Sequence, residues 1–375
     1  MRIVDVKADD LTIPYPGEVR PAWQPGVVTK SFTFTLVRII TDNGIVGVGG
    51  TRGHLAGVIL SQVKPYMIGE DSFATERLSR AYRSTTAGGI WCVDMALWDI
   101  IGKAANLPLY KLWGNYHDKV KAYASAVEVG TPESRAELAL HYQKLGFKAM
   151  KLRFHNETMK EDLAILDACL DATKGKMDFM VDANQPSLGP ARQGVVWDLR
   201  RALQTARELE TRGAIWLEEP LGRYDFDDLI RLREATEIYI AGGELNQGLH
   251  EFRWLIERGV YDIIQPDCSL AEGVSQLRKV AAMAEVYNRH FAPHHGMSGL
   301  GLAAALHLTC TFPGYTWMEM MYEPRTRTIE SFQQLGGILE SRIWIDNDGF
   351  VSPPNQPGLG VTLNEKMIGK YAVKS

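Results

Sequence analysis

Residues 146–155 read GFKAMKLRFH, from Gly146 to His155. Apolar and basic side chains alternate with the two-residue period of a β-strand. Met150, Leu152 and Phe154 share one face, and Lys151 and Arg153 share the other. Taken alone this is an edge strand carrying solvated charge. Its neighbours along the chain change that reading. Runs of the same kind, each ending in polar residues, recur from residue 119 onward as VKAYAS, FKAMKLR, MDFMVDAN, AIWLEEP, IYIAGGE, YDIIQPD, HFAPHH and YTWMEM. Between them lie segments of helical pattern. PESRAELALHYQKLG opens on Pro-Glu and closes on Gly146, and GVSQLRKVAAMAEVYN places apolar residues three and four apart. Eight strands alternating with helices predict an α/β fold of the closed-barrel kind. A doubly wound open sheet is the alternative, but no G-x-G-x-x-G follows an early strand.

The first 115 residues are organised differently. SFTFTLVRII and GIVGVGG flank Thr41-Asp42-Asn43-Gly44, and Asn-Gly marks a hairpin. A helical stretch then ends in VDMALWDIIGKAANLPLYKLWGN. The expected domains are an α+β capping domain over 1–117, the barrel over 118–340, and a segment over 341–375 that packs back on the capping domain. The chain of 375 residues is 45% hydrophobic and 23% charged, with a formal net charge of -4. No basic run points to nucleic acid or membrane as a partner. The Met1 end lacks the apolar core of a signal peptide, which predicts a cytoplasmic protein. Cys92, Cys169, Cys268 and Cys310 are far apart, in no metal-type spacing, and read as reduced thiols.

Functional side chains of such barrels sit at the C-terminal ends of the strands. The second run ends in Lys151 and Arg153, and the third in Asp182 and Asn184. The fourth ends in Glu218 and Glu219, the fifth in Glu244, and the sixth in Asp267. The seventh ends in His294 and His295, and the eighth in Glu319. Carboxylates from three consecutive strands repel unless protons or a cation neutralise them. For Asp182, Glu218 and Glu244, an oxygen-only set favours a hard ion, Mg²⁺ first and Mn²⁺ or Ca²⁺ next. Asp267 on the strand beside His294 can hold the imidazole in one tautomer. Strand alternation points His295 away from the mouth, and His155 lies past its strand as a structural residue.

These residues resemble the mandelate racemase branch of the enolase superfamily over nearly the whole chain. MALWDIIGKAANLPLYKLWG looks like the signature that ends the family's capping domain, and QPGLGV like its C-terminal turn. FKAMKLR, VDANQ, WLEEP, GGE, QPD, APH and WME fall in the family's order. The resemblance implies a modified TIM barrel, (β/α)7β, beneath the capping domain. It makes Asp182, Glu218 and Glu244 the Mg²⁺ ligands, with Mn²⁺ as a substitute. Lys151 and Arg153 match the basic pair of the second strand, and Asp267 and His294 an Asp-His dyad. Glu319 matches the acid that hydrogen-bonds the substrate carboxylate, and Asn184 a polar position beside the site. Loops from Tyr15 to Trp23 and from Thr51 to His54 would close over a small carboxylate substrate. Relatives usually assemble, so a homo-oligomer is expected.

The implied chemistry is abstraction of the proton α to a carboxylate, with the enolic intermediate stabilised by Mg²⁺, Lys151 and Glu319. Arg153 stands where many members carry a second, catalytic Lys. A guanidinium has a reference pKa of about 12.5 or above and rarely gives up its proton. A racemase needs a base on each face of the carbon, whereas a syn dehydration can run on His294 alone. This favours dehydration of an aldonate or aldarate to a 2-keto-3-deoxy acid. A working Arg153 base would reopen a racemase or epimerase. A Schiff-base aldolase using Lys151 and a silent sugar-acid binding protein are the readings from other classes. Glu272-Gly273 in DCSLAEG replaces the family's Gly-Gly pair, a departure confined to the start of the next helix.

Overall fold

The computed structural model describes residues 1–85, 90–187 and 194–373. Three antiparallel strands open the chain: β1 (Ile3–Val19), β2 (Thr29–Thr41) and β3 (Val46–Arg52). The Asn-Gly turn joins β2 to β3, with Gly44 at φ 83° as the left-handed position requires. The helix Cys92–Ala104 lies flat on β3 because Gly47 and Gly49 have no side chain. A Cβ at either would collide with the backbone oxygen of Ala96 or Cys92. All four cysteines are free and buried. Among the described residues, no helix is long and apolar enough to cross a membrane.

Eight parallel strands follow: β4 (Val120–Ser125), β5 (Ala149–Arg153), β6 (Asp178–Asp182), β7 (Trp216–Glu218), β8 (Tyr239–Gly242), β9 (Ile263–Ile264), β10 (His290–Phe291) and β11 (Trp317–Met321). Hydrogen bonds join β11 to β4 and run on in chain order to β10, forming a nearly closed barrel. A short β12 (Phe350–Val351) pairs antiparallel with β4. Met150, Leu152 and Phe154 lie in the main core with residues of the surrounding helices, among them Leu163 and Leu166.

The inside of the barrel is built in layers. Tyr123, Ala149, Met180, Trp216, Ala241, Ile263, Ala292 and Trp317 form one buried apolar cluster. Two residues further along the chain at seven of the eight positions stand Ser125, Lys151, Asp182, Glu218, Gln265, His294 and Glu319, with Gly243 at the eighth. Gln265 and His294 lie just past the ends of β9 and β10. The period-two pleat therefore stacks a polar layer directly on an apolar floor. The tail returns to the first domain through a bridge between Leu11 and Ala372 and an ion pair between Arg38 and Glu365.

One buried histidine clamps barrel, linker and tail together. His307 Nδ1 accepts from the Tyr110 N–H at 3.3 Å, and Nε2–H donates to the Leu359 carbonyl at 3.2 Å. Both contacts require a neutral ring, and burial pushes its pKa down to about 4. An unfolded histidine titrates near 6.5, so between these values the unfolded chain binds more protons. Stability is complete above about pH 6.5 and declines toward pH 4, by up to about 3 kcal/mol at that one group. Urea unfolding at pH 7 and pH 5 checks this. His307→Gln keeps a donor and an acceptor, and is expected to flatten the difference.

Candidate active site at the barrel mouth

Lys151 stands at the centre of the polar layer, fully buried. Its Nζ lies 2.7 Å from Glu218 Oε1, 3.0 Å from Glu319 Oε1 and 3.5 Å from Asp182 Oδ2. Burial works against the ammonium, but Glu218 and Glu319 more than offset it and hold the pKa well above the usual value. The Glu319 carboxyl is opposed by burial too, yet Lys151 and His294 hold it well below the usual range. Lys151 balances Glu319 without a directed hydrogen bond, so both Glu319 oxygens retain accepting capacity.

Arg153, next inward on β5, uses its whole fork on the protein. Nε donates to the Ala126 carbonyl at 2.8 Å, Nη2 to Ser125 Oγ at 3.0 Å, and Nη1 to Asn184 Oδ1 at 3.2 Å and to Asp182 in a close ion pair. Burial opposes the charge, but Asp182 leads the carboxylates that raise the pKa further. Asn184, in the left-handed region at φ 45°, returns Nδ2 to Asp182 at 2.9 Å. His155 Nε2 lies 3.1 Å from Asn184 Oδ1, and burial lowers its pKa to about 4. It is a neutral ring bracing Asn184 and does not line the main cavity.

On the opposite side, His294 Nδ1 makes a close contact with Asp267, and Nε2 lies 2.9 Å from Glu244 and 3.7 Å from Glu319. Asp267 is fixed by backbone N–H donors from Ser269 at 2.6 Å and Gly296 at 3.1 Å. Burial disfavours the imidazolium, but Glu244 and Glu319 hold it well above its usual pKa. A cavity of about 250 Å³ opens above these groups. Arg153, Asn184, Glu244 and His294 reach it from the barrel, and Trp23, Gln24 and Arg52 from the first domain. Trp23 and Arg52 belong to the two capping segments singled out in the sequence.

His295 departs from the expectation. It lines the cavity instead of pointing away, its ring 4.0 Å from that of His294. β10 ends at Phe291, so the two-residue alternation stops before it reaches residue 295. Nδ1 accepts from the Met297 N–H at 3.0 Å, which leaves Nε2 as an N–H donor without a protein partner. The other residues without a sequence-assigned role are Glu219, Arg223 and Arg327. Glu219 sits at φ 46° just past β7, so it too escapes the strand alternation.

Comparison with known proteins adds a name to this geometry. Residues 18–114 match the mandelate racemase / muconate lactonizing enzyme N-terminal domain, and residues 134–367 match the enolase C-terminal domain-like family. The chain belongs to the enolase superfamily, in the mandelate racemase/muconate lactonizing enzyme subgroup. An arabinonate dehydratase from Saccharolobus solfataricus is 30% identical over 93% of each chain. A 3,6-anhydro-alpha-L-galactonate cycloisomerase from Streptomyces coelicolor is 28% identical over 98% of this chain and 99% of its own. The crystal structure of L-talarate dehydratase from Polaromonas, complexed with Mg and L-glucarate, superposes with a TM-score of 0.85. It is 26% identical and covers 100% of this chain and 98% of that one.

The superfamily member's own residues suit a hard cation. Asp182 and Glu218 are partners in the parallel ladder, and Glu218 pairs with Ala241, three residues before Glu244. Burial, with Asp182 and Glu319 adding to it, pushes Glu218 up to about 7 although Lys151 opposes the shift. Burial, then Glu244 and Asp182, drives Glu219 well above the usual range, and its Oε2 has no partner. Carboxylate oxygens in excess of nearby cations are what Mg²⁺ requires. In this arrangement each carboxylate leans on a different base: Asp182 on Arg153, Glu218 on Lys151, Glu244 on His294. A cation held by Glu244 would compete with the contact that keeps His294 protonated. Among the described residues, the tight group of ligand atoms, all within 4.8 Å, is instead His294, His295 and Glu319. Two nitrogens and one oxygen suit a transition metal better than Mg²⁺.

Proposed function

We propose that the protein dehydrates an aldonate or aldarate to a 2-keto-3-deoxy acid, with His294 as its single base. The observation that carries this is the state of Arg153, whose donors are committed to Ala126, Ser125, Asp182 and Asn184. A guanidinium so held, with its pKa raised, does not accept a proton from carbon. Lys151, charged and tied to Glu218 and Glu319, does not serve either as a second base or as a Schiff-base nucleophile. One base remains, oriented by Asp267 as catalytic imidazoles are.

With Glu244 engaged by a cation, His294 would lose the contact that keeps it protonated, and its freed Nε2 would take the α proton while Asp267 holds Nδ1–H. Lys151 and Glu319, buried beside His294, would meet the charge that develops on the substrate carboxylate, and Trp23 and Arg52 line the cavity from the first domain. The imidazolium then gives its proton to the β-hydroxyl, which leaves as water. The enol tautomerises to the 2-keto-3-deoxy acid. Mg²⁺, when bound by Asp182, Glu218 and Glu244, supplies positive charge at the carboxylate end. Asn184 positions Asp182 and Arg153 rather than reacting. The arabinonate dehydratase, a relative over nearly the full chain, supports the reaction class.

Purified protein with Mg²⁺ is expected to form keto acid from members of an aldonate and aldarate panel, read alongside solvent-deuterium exchange at the α carbon. Keto-acid formation supports dehydration. Exchange with retention of every hydroxyl would instead identify a racemase or epimerase. Neither exchange nor product across the panel would sink the proposal.

A further inference from the structure

The cavity has two unlike ends. Its inner end is formed by Glu244 and His294, which sit beside the buried Lys151 and Glu319. Its outer end, beneath the first domain, is basic. Arg52, Arg153, Arg223 and Arg327 all line the cavity, against one acidic lining residue, Glu244. Arg153 is committed as described, and Arg223 donates to the Leu245 carbonyl at 2.6 Å. Arg52 and Arg327 are different. Among the described residues, neither has a carboxylate within ion-pair distance or a side-chain hydrogen bond to the protein.

Arg327 is 4% exposed, and its Nε has no partner. Its guanidinium lies 3.7 Å from the ring centroid of Phe332 and 5.7 Å from that of Trp23. It follows β11 in a tight turn closed by paired backbone hydrogen bonds with Glu323, while the Glu323 side chain turns away to Arg135. Arg52 is the last residue of β3, so the capping sheet brings it in from the opposite side. Both residues also line the adjoining crevice with Tyr15 and Trp23. A buried arginine normally has an anion for its fork, because the desolvated charge is otherwise uncompensated.

From this we infer that Arg52 and Arg327 receive a second carboxylate of the substrate, at the end remote from the carbon that loses its proton, so that the substrate is a dicarboxylic acid sugar. The inference rests on the proposed α-proton chemistry for the orientation of the first carboxylate, and chooses the aldarate over the aldonate. Two guanidinium forks facing one planar carboxylate offer bidentate hydrogen bonds that a hydroxymethyl end cannot match. A cavity of about 250 Å³ suits one small molecule reaching both ends. A terminal phosphate presents the same charge with different geometry, and belongs in the test.

The test uses matched pairs that differ only at the last carbon: galactarate with galactonate, glucarate with gluconate, and mannarate with mannonate. 6-Phosphogluconate serves as the phosphate arm. Calorimetric Kd values with Mg²⁺ present are measured beside kcat/KM for keto-acid formation. The best aldarate is expected to bind about 100-fold more tightly than its aldonate. Arg52→Gln and Arg327→Gln are each expected to cut that ratio by about tenfold or more. The exposed Arg52 can be tested even if the buried Arg327 variant folds poorly. Equal binding of aldonates, a ratio unchanged in both variants, or tighter binding of 6-phosphogluconate than of every aldarate would overturn the inference. Aldarate preference without turnover counts against dehydration alone, and aldonate dehydration without aldarate preference counts against the second carboxylate site alone. Binding of no member at all overturns both.

Discussion

His294→Asn is expected to lower kcat by about 10⁴-fold and to abolish α-proton exchange, because it removes the one group able to take the proton. Asn keeps the size of the ring's inner half and can still donate to Asp267, so the fold around Ser269 and Gly296 has no reason to change. Arg153→Lys is the informative partner. Lys cannot reproduce a fork shared among Ala126, Ser125, Asp182 and Asn184, and an ammonium at this depth keeps its charge beside Asp182. A fall in kcat of about tenfold is expected, from misplacement of Asp182 and Asn184, with exchange still detectable. The two effects differ in kind: one removes proton transfer and the other loosens the wall beside it. Exchange measured by NMR in deuterated buffer separates them. If exchange survives loss of His294 but not replacement of Arg153, the base has been assigned to the wrong residue. That result would also restore the two-base requirement of a racemase.

How far the sequence revealed this site depends on where each strand stops. β5 runs through Arg153, β6 through Asp182 and β7 through Glu218, so the pleat dictates which side chains point inward. Lys151, Asp182, Glu218 and Glu319 were legible for that reason, as was the barrel; the apolar floor beneath them was not read from the sequence. Alternation fails where the strand ends early. His295 was placed on the wrong side because β10 is two residues long, and Glu219 acquires its burial from a left-handed turn. Arg52 and Arg327 carry no periodic signal. Each comes from a different domain, and only the packing of the capping sheet on the barrel brings them to one cavity. The ion pairs were likewise invisible. Composition and order list carboxylates and bases, but whether Glu218 leans on Lys151 or on a metal is decided by distances of about an ångström.

Removal of divalent metal is expected to abolish activity, and added Mg²⁺ or Mn²⁺ to restore it. The reason lies in the surplus of buried negative charge. Asp182, Glu218, Glu219, Glu244, Asp267 and Glu319 are all inside the mouth, where Lys151 and Arg153 contribute permanent positive charge. Both the raised Glu218, at about 7, and the raised Glu219 report the shortage. A cation that binds only the folded chain stabilises it, by about 2.7 kcal/mol at a hundred times its Kd. The urea midpoint of EDTA-treated protein is therefore expected to rise on titration with Mg²⁺, independently of turnover. Asp182→Asn removes a hard oxygen ligand and should erase that rise, whereas His295→Asn should leave it. Zn²⁺ decides between the two donor sets. If Zn²⁺ but not Mg²⁺ restores activity, and His295→Asn rather than Asp182→Asn erases the stabilisation, the ion sits on His294, His295 and Glu319. His294 Nε2 would then be a ligand and no longer free to take a proton. The metal's identity and the base's identity are thus one question, because the same nitrogen cannot do both.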